Sequence, residues 1–178
     1  CPLPQAIRDC YIPGYKNEDP ADLARTAQVS AGSEKQPAAN VINGVSRTVG
    51  EDENCWQSDG LAGDNGVLSL KWDAPHTLRQ VRLTFAPNLC SSIKITLSSK
   101  RIAEQVPGVP PELVRDYDVE LLKDGHVLAS RSVRGNYQRL NVLSFDACEC
   151  DEVRLHVLAT NGIADARVYE VRAYEQAD

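Results

Sequence analysis

Asn40-Val41-Ile42-Asn43-Gly44-Val45-Ser46-Arg47-Thr48-Val49-Gly50-Glu51-Asp52-Glu53-Asn54-Cys55-Trp56-Gln57-Ser58-Asp59-Gly60 sets one tryptophan among amides, hydroxyls and carboxylates. Such groups can recognise a sugar, which needs an aromatic face for the apolar side of its ring and planar polar groups for its hydroxyls. Trp56 is then either a ligand platform or a core side chain with one N–H to satisfy, and the second reading is the expected one. Elsewhere the planar polar groups are Arg101, Arg115 and Arg139, the aromatic is Tyr137, and Asn136 and Asn88 are amide donors. Tyr137 and Arg139 are two apart, so a regular strand would put them on one face. Each has a plainer reading: a surface arginine is a solvated charge, and Tyr137 can be core with its hydroxyl at the rim. Aromatic residues make up only 6% of the chain, which leaves few for a dedicated platform.

Catalytic chemistry finds little support. His76, His126 and His156 fall in separate segments with no i,i+4 pairing, and no nucleophile elbow is present. His156 alternates with Leu155 and Val157, so it is expected to face solvent. Glu51, Asp52 and Glu53 form an acidic turn of the kind that is usually solvated. A carboxylate pair assembled from distant strands stays open, because sequence does not reveal it. The six cysteines, at positions 1, 10, 55, 90, 148 and 150, include one C-x-C pair and no zinc spacing. They read as free thiols. In an oxidising compartment Cys148 and Cys150 would have Cys55 or Cys90 as partners.

The net charge of −6 argues against a nucleic-acid partner. No apolar run approaches the roughly 18 residues of a membrane span. The first residues, Cys1-Pro2-Leu3-Pro4, lack the basic and apolar regions of a secretion signal, so a cytoplasmic location is expected.

The elements that must position these groups are strands. Residues 1–24 read as an irregular arm or linker punctuated by Pro2, Pro4, Pro13, Gly14 and Pro20. Asp19 as N-cap and Pro20 at the first helical position can open a brief helix there. Residues 25–178 read as one domain. Leu68, Leu70 and Trp72 alternate, as do Val81-Arg82-Leu83-Thr84-Phe85, Ile93-Lys94-Ile95-Thr96-Leu97, Val153-Arg154-Leu155-His156-Val157 and residues 168–174. Residues 137–145 supply another strand. Residues 117–122 and 127–130 flank Lys123-Asp124-Gly125-His126, a hairpin signal. The insertion from Ser98 to Pro111 carries four Pro or Gly residues near its end and reads as a surface loop. Eight or nine short strands without a long amphipathic helix predict an all-β, antiparallel β-sandwich or barrel.

The order of motifs sharpens this. Asn40-Val41-Ile42-Asn43-Gly44, Trp56-Gln57-Ser58, Leu70-Lys71-Trp72-Asp73-Ala74-Pro75 and Val81-Arg82-Leu83, spread over residues 26–175, resemble the discoidin, or coagulation-factor C-type, family of galactose-binding-like jelly rolls. Tyr11-Ile12-Pro13-Gly14, Asn17-Glu18-Asp19-Pro20-Ala21-Asp22-Leu23-Ala24, Arg115-Asp116-Tyr117-Asp118-Val119 and Asn136-Tyr137-Gln138-Arg139-Leu140 resemble the C-terminal module of bacterial FAD-dependent oxidoreductases. The resemblance implies a jelly-roll sandwich, an upstream catalytic domain as partner, and loops at one end that meet a glycan or glycoside. It also implies a structural Ca2+ between the loop bearing Asn43 and Ser46 and the last-strand residue Glu170. The plainer reading gives Asn43-Gly44 as a turn and Glu170 as an arginine's partner. No G-x-G-x-x-G follows a strand, so no flavin site of its own is expected. The function implied is a non-catalytic, carbohydrate-binding accessory module. The alternative is a structural module that packs on its own catalytic domain without binding sugar.

Overall fold

The computed structural model describes residues 16–88, 95, 97–103, 105 and 108–177. Among them the strands are β1 (Gln28–Ala31), β2 (Trp56–Gln57), β3 (Val67–Phe85), β4 (Val114–Lys123), β5 (His126–Val133), β6 (Leu140–Thr160) and β7 (Arg167–Tyr174). Every pairing is antiparallel. The order is β2-β7-β3-β6-β4-β5, with β1 also on β3. This is the predicted all-β sandwich.

Two pairs of expected strands are in fact single long ones. Residues 67–72 and 81–85 are the two halves of β3, and most of 137–145 joins 153–157 in β6. The register of the β3–β6 ladder slips between Lys71 and His76 and again between Leu78 and Gln80. Such irregularities bend and twist a strand, so β3 and β6 pass from one layer into the other without breaking. The first half of β3 pairs with β1, at Val29↔Leu70, and the second half with β7, at Leu83↔Val171. The later half of β6 pairs with β4, at Val119↔Leu155.

Alternation then fills the space between the layers. Leu68, Leu70, Leu83, Phe85, Tyr117, Val119, Leu121, Leu155, Val157 and Val168 are buried in one cluster. Each contributes on the order of 1.5–3 kcal/mol by leaving water. The Phe85 and Tyr117 rings meet edge to face, 5.0 Å apart. The β4–β5 hairpin turns on Asp124 at φ 51 and Gly125 at φ 78, as a two-residue turn with both φ positive requires.

The second half of the expected arm is docked. Asp22 is 5% exposed. Its Oδ1 accepts from Ala24 N at 3.1 Å, capping a 3-10 turn over Leu23–Thr26, and from Ala173 N of β7 at 3.1 Å. Trp72 Nε1 donates to Leu23 O at 3.0 Å, and Tyr174 OH to Asp19 Oδ2 at 3.1 Å. The helix expected from Asp19 thus begins later, because Asp22 is the residue placed to cap it. Asp19 instead closes a turn onto Ala21 N at 3.0 Å.

The 98–111 insertion holds one short exposed helix, α1 (Ser99–Ala103). Most of the expected strand at 93–97 lies outside the described residues, and its described members Ile95 and Leu97 are exposed and in no strand. Cys55, Cys148 and Cys150 are free thiols, while Cys1, Cys10 and Cys90 lie outside the described residues. Burial pushes the Cys150 thiol up to about 12. Among the described residues no helix is long and apolar enough to cross a membrane.

Candidate functional site

Trp56 is a core residue. It is fully buried, its Nε1 donates to Ser33 O at 2.9 Å, and its backbone pairs with Val168. It therefore fixes the return of the 43–55 loop onto β7 and offers no face to a ligand. The loop is tied at its base as well. Asn43 Nδ2 donates to Asn54 Oδ1 at 3.1 Å, Asn43 Oδ1 accepts from Val45 N at 2.7 Å, and Asn40 Nδ2 donates to Cys55 O at 3.0 Å. Gly44, at φ +82, lets Asn17 N reach Gly44 O at 2.6 Å, and a Cβ there would collide with Asn17 O.

At this end of the sandwich a concavity of about 280 Å³ is lined by Thr48, Gly50, Glu51, Glu53, Cys55, Ala86, Asn88, Arg167 and Tyr169. It joins the tied loop to the ends of β3 and β7. Asn88 holds φ 50, a left-handed conformation costly for a side chain other than glycine. Its Nδ2 donates to Glu112 Oε1 at 2.6 Å. Tyr169 OH shares a 3.0 Å hydrogen bond with Thr48 Oγ1. Arg167 Nε is buried with no hydrogen-bond partner. No ion pair among the described residues engages Glu51 or Glu53. The lining thus holds hydroxyl, amide, carboxylate and guanidinium groups beside the Tyr169 ring, which is itself only 7% exposed. Burial, reinforced by the Glu53 carboxylate against the weaker opposing pull of Arg167, pushes the Cys55 thiol up to about 11. A thiol held protonated is no nucleophile at neutral pH.

The structure scatters the sequence-derived ligand residues. Arg101 is exposed on α1. Arg115 is exposed at the start of β4, with its Nη2 2.9 Å from Asp116. Asn136 is buried, and its amide is consumed by Val114 O at 2.7 Å, Gln138 O at 3.0 Å and Gln138 N at 3.0 Å. Tyr137 is 69% exposed. Residues 137–139 precede β6, so the shared strand face expected for Tyr137 and Arg139 does not form. Arg139 points the other way. Its Nη2 donates to Ser46 O, and its guanidinium lies 5.8 Å from the Tyr169 ring centroid. Of the nominated side chains, Asn88 lines the concavity and Arg139 touches a residue that lines it. Sequence reading missed Tyr169 and Arg167, which sit in an alternating strand that looks like core. It set Glu51 and Glu53 aside as solvated. Asn88 was the one lining residue its chemistry had marked.

A second concavity lies on the outer face of the sheet. It is larger, about 480 Å³, and is lined by Ser30, Ala31, Gly32, Asp64, Val67, Ser69, Glu120, Arg154 and His156. His156 sits there, on the outer face as expected. Here Arg154 Nη2 is 2.8 Å from Glu152 Oε1, Arg154 Nη1 is 3.7 Å from Glu120, and Ser69 Oγ donates to Glu152 Oε1 at 2.7 Å. Among the described residues no Phe, Tyr or Trp lines it.

The donor set for Ca2+ is poor. A hard cation takes about six to eight oxygens. Glu170 is 2% exposed, its Oε2 is engaged by Arg172 Nη2 at 2.8 Å, and its Oε1 is buried and unpartnered, the kind of oxygen a cation would take. The amide of Asn43 is spent within its loop, and the Ser46 carbonyl is held by Arg139. Among the described residues no three His, Cys, Asp or Glu side chains cluster at metal-holding distance. The residues as arranged do not fit the ion.

No family model matches the chain, and no curated protein matches it. Solved structures do. The lectin domain of lectinolysin complexed with Lewis B antigen is 15% identical, with 89% of this chain and 99% of that one covered at a TM-score of 0.64. A Streptococcus pneumoniae fucose-binding module is 9% identical, covering 90% and 100% at 0.62. The family 32 carbohydrate-binding module of C. perfringens NanJ, solved with galactose, is 18% identical, covering 85% and 96% at 0.57. At these identities the likeness shows the fold alone: an antiparallel β-sandwich.

Proposed function

We propose that the chain is a non-catalytic carbohydrate-binding module that takes a sugar unit of a glycan or glycoside in the loop-end concavity. The observation that supports this most is the lining itself. Tyr169, Asn88, Thr48, Glu51, Glu53 and Arg167 combine an aromatic ring with planar and hydroxyl groups of both hydrogen-bonding senses, which is what sugar recognition requires. The fold adds support, because modules that share it are solved with Lewis B antigen and with galactose. The motifs around Tyr11 and Asn17 that resemble flavin-dependent oxidoreductases support service to a larger enzyme.

The test is a calorimetric titration of neutral sugars, fucose and galactose first, against the chain and its Arg167→Ala variant. Saturable heat lost in the variant is the expected result. A broad panel giving no heat would remove the reading.

A second reading, packing on a catalytic domain, has its own observation. Leu140 and Val142, two apart on β6, are 54% and 50% exposed, and Val127 and Leu128 on β5 are 50% and 53% exposed. Leu140 and Val142 share one face of β6, and exposed apolar side chains gathered on one face support an interface reading. Replacing Leu140 and Val142 by serine would weaken association with a catalytic partner and leave sugar binding intact.

A further inference from the structure

We propose that Arg139 is the built-in cation of the 43–55 loop, holding it in the shape that forms the concavity without a divalent metal ion. The loop carries Thr48, Gly50, Glu51 and Glu53 of the lining, and the inference rests on the sugar-binding reading only in saying what the loop is for. The base of the loop is closed by the Asn43–Asn54 and Asn40–Cys55 hydrogen bonds. Its middle is not closed by itself. Val49 and Asp52 pair across a tight turn, with N–O distances of 2.9 and 3.1 Å, but that turn needs an anchor to the sheet.

Arg139, just before β6, and Tyr169, on β7, supply the anchor. Arg139 is positioned by its backbone, whose carbonyl accepts from Phe85 N at 2.9 Å at the end of β3. Its guanidinium then reaches the Ser46 carbonyl and lies over the Tyr169 ring. Tyr169 in turn holds Thr48. One positive group therefore touches the loop at Ser46 and, through Tyr169, braces it at Thr48. Ser46 O and the neighbourhood of Glu170 are the groups through which an ion would have joined loop to last strand. A guanidinium occupies the first, and the Arg172 guanidinium engages the second. A guanidinium is charged at every accessible pH and fits carbonyl oxygens through a planar fork. Neither chelation nor mild acid removes it. One guanidinium beside Ser46 O and another beside Glu170 Oε2 also oppose the entry of a divalent cation.

The experiment reads the tether without any sugar. The chain, Arg139→Ala and Arg139→Lys are compared by thermal midpoint in calcium and in EDTA, and by the rate of tryptic cleavage after Arg47, inside the loop, relative to cleavage after Arg101, outside it. The chain is expected to show the same midpoint in calcium and in EDTA. Arg139→Ala is expected to raise the Arg47-to-Arg101 cleavage ratio at least tenfold, and Arg139→Lys to restore part of it. A midpoint that falls on chelation and returns with calcium would overturn the proposal. So would an unchanged cleavage ratio in Arg139→Ala. Should Arg139→Ala fail to fold, the lysine variant and the chelation arm still decide. A failure to bind sugar would leave all these readouts intact and count only against the function proposed above.

Discussion

The two concavities differ in a way that size conceals. The sheet-face groove is larger, but its arginine is committed to Glu152 and Glu120, and Ser69 is turned onto the same carboxylate. Its charges neutralise one another. The loop-end concavity is smaller, yet among the described residues no ion pair engages its Glu51 or Glu53, Arg167 Nε is buried without a hydrogen-bond partner, and Asn88 holds a left-handed backbone conformation. A groove whose polar groups are satisfied has nothing left to offer a ligand, since each new hydrogen bond must displace an old one. Unspent polarity, more than volume, marks the place where a ligand would gain.

Trp56→Ala should break the comparison most severely. Emptying a fully buried indole costs about 3–5 kcal/mol, and the lost Ser33 bond frees the loop. A denaturant titration should show this cost, with sugar binding lost as well; a variant that keeps full stability would contradict the anchoring role. Next comes the exchange of arginines. Arg167→Ala should weaken sugar affinity at least tenfold, about 1.4 kcal/mol, whereas Arg154→Ala should leave it within about twofold. The reverse order in calorimetry would move the site to the sheet face. For stability the ranking changes. Arg154→Ala strips the nearly buried Glu152 of its partner and should cost about 1 kcal/mol, visible as a lower denaturation midpoint.

Acid sharpens the contrast further. Burial works against the Asp165 charge, but Gln57, Lys35 and Gly60 N outweigh it and hold that carboxyl below its ordinary 3.8. Its stabilisation is complete above 3.8 and is lost as pH falls through the lower folded value. Asp22 runs the opposite way. Burial raises its carboxyl above 3.8, despite the donors Ala173 N and Ala24 N. The fold therefore favours its protonated form, and stability declines as pH rises from 3.8 through the folded value. Asp22→Asn, which keeps the acceptor oxygen, should remove that decline. Stability measured against pH for the two proteins should diverge upward from pH 3.8, and parallel curves would refute the assignment. The smallest effect expected is from Lys35→Ala. Its pairs with Asp59 and Asp165 are at 3.1 Å but exposed, and such pairs contribute about 0.5 kcal/mol.

Much of the scaffold is legible in the residues. Alternation in Leu68-Ser69-Leu70 and Val153-Arg154-Leu155 names the buried face, and Asp124-Gly125 names its own turn. The union of 67–72 with 81–85 into one strand is not legible, because the polar stretch Asp73-Ala74-Pro75-His76 looks like a loop, and in the structure it spans a gap in the β3–β6 ladder between the pairs Lys71↔Glu152 and His76↔Cys150. The site is harder still. Arg139 and Tyr137 have the right chemistry, but their directions depend on where β6 begins, and a start at Leu140 turns one toward the loop and leaves the other in solvent. Tyr169 and Arg167 are two apart on β7 and share a face by ordinary alternation, but Val168, Tyr169, Glu170 and Val171 are all buried, so no polar face sets the site apart, and the β3–β7 register also shifts between Thr84 and Phe85. No local pattern announces such an irregularity.

The two long bent strands also set how the molecule must come into being. β3 and β6 meet at partners as far apart in the chain as Val67 and His156. Neither half of the sandwich can close before that ladder does. The entropy of a large open loop must be surrendered before most of the apolar surface is rewarded, so refolding should be slow for the size of the chain, on the order of milliseconds to seconds. A new chain start cut at the exposed Asp124–Gly125 turn, with residues 1 and 178 joined by a linker, would place β6 ahead of β3 and change the length of the loop to be closed, making the birth of the fold, and not its final shape, the property that moves.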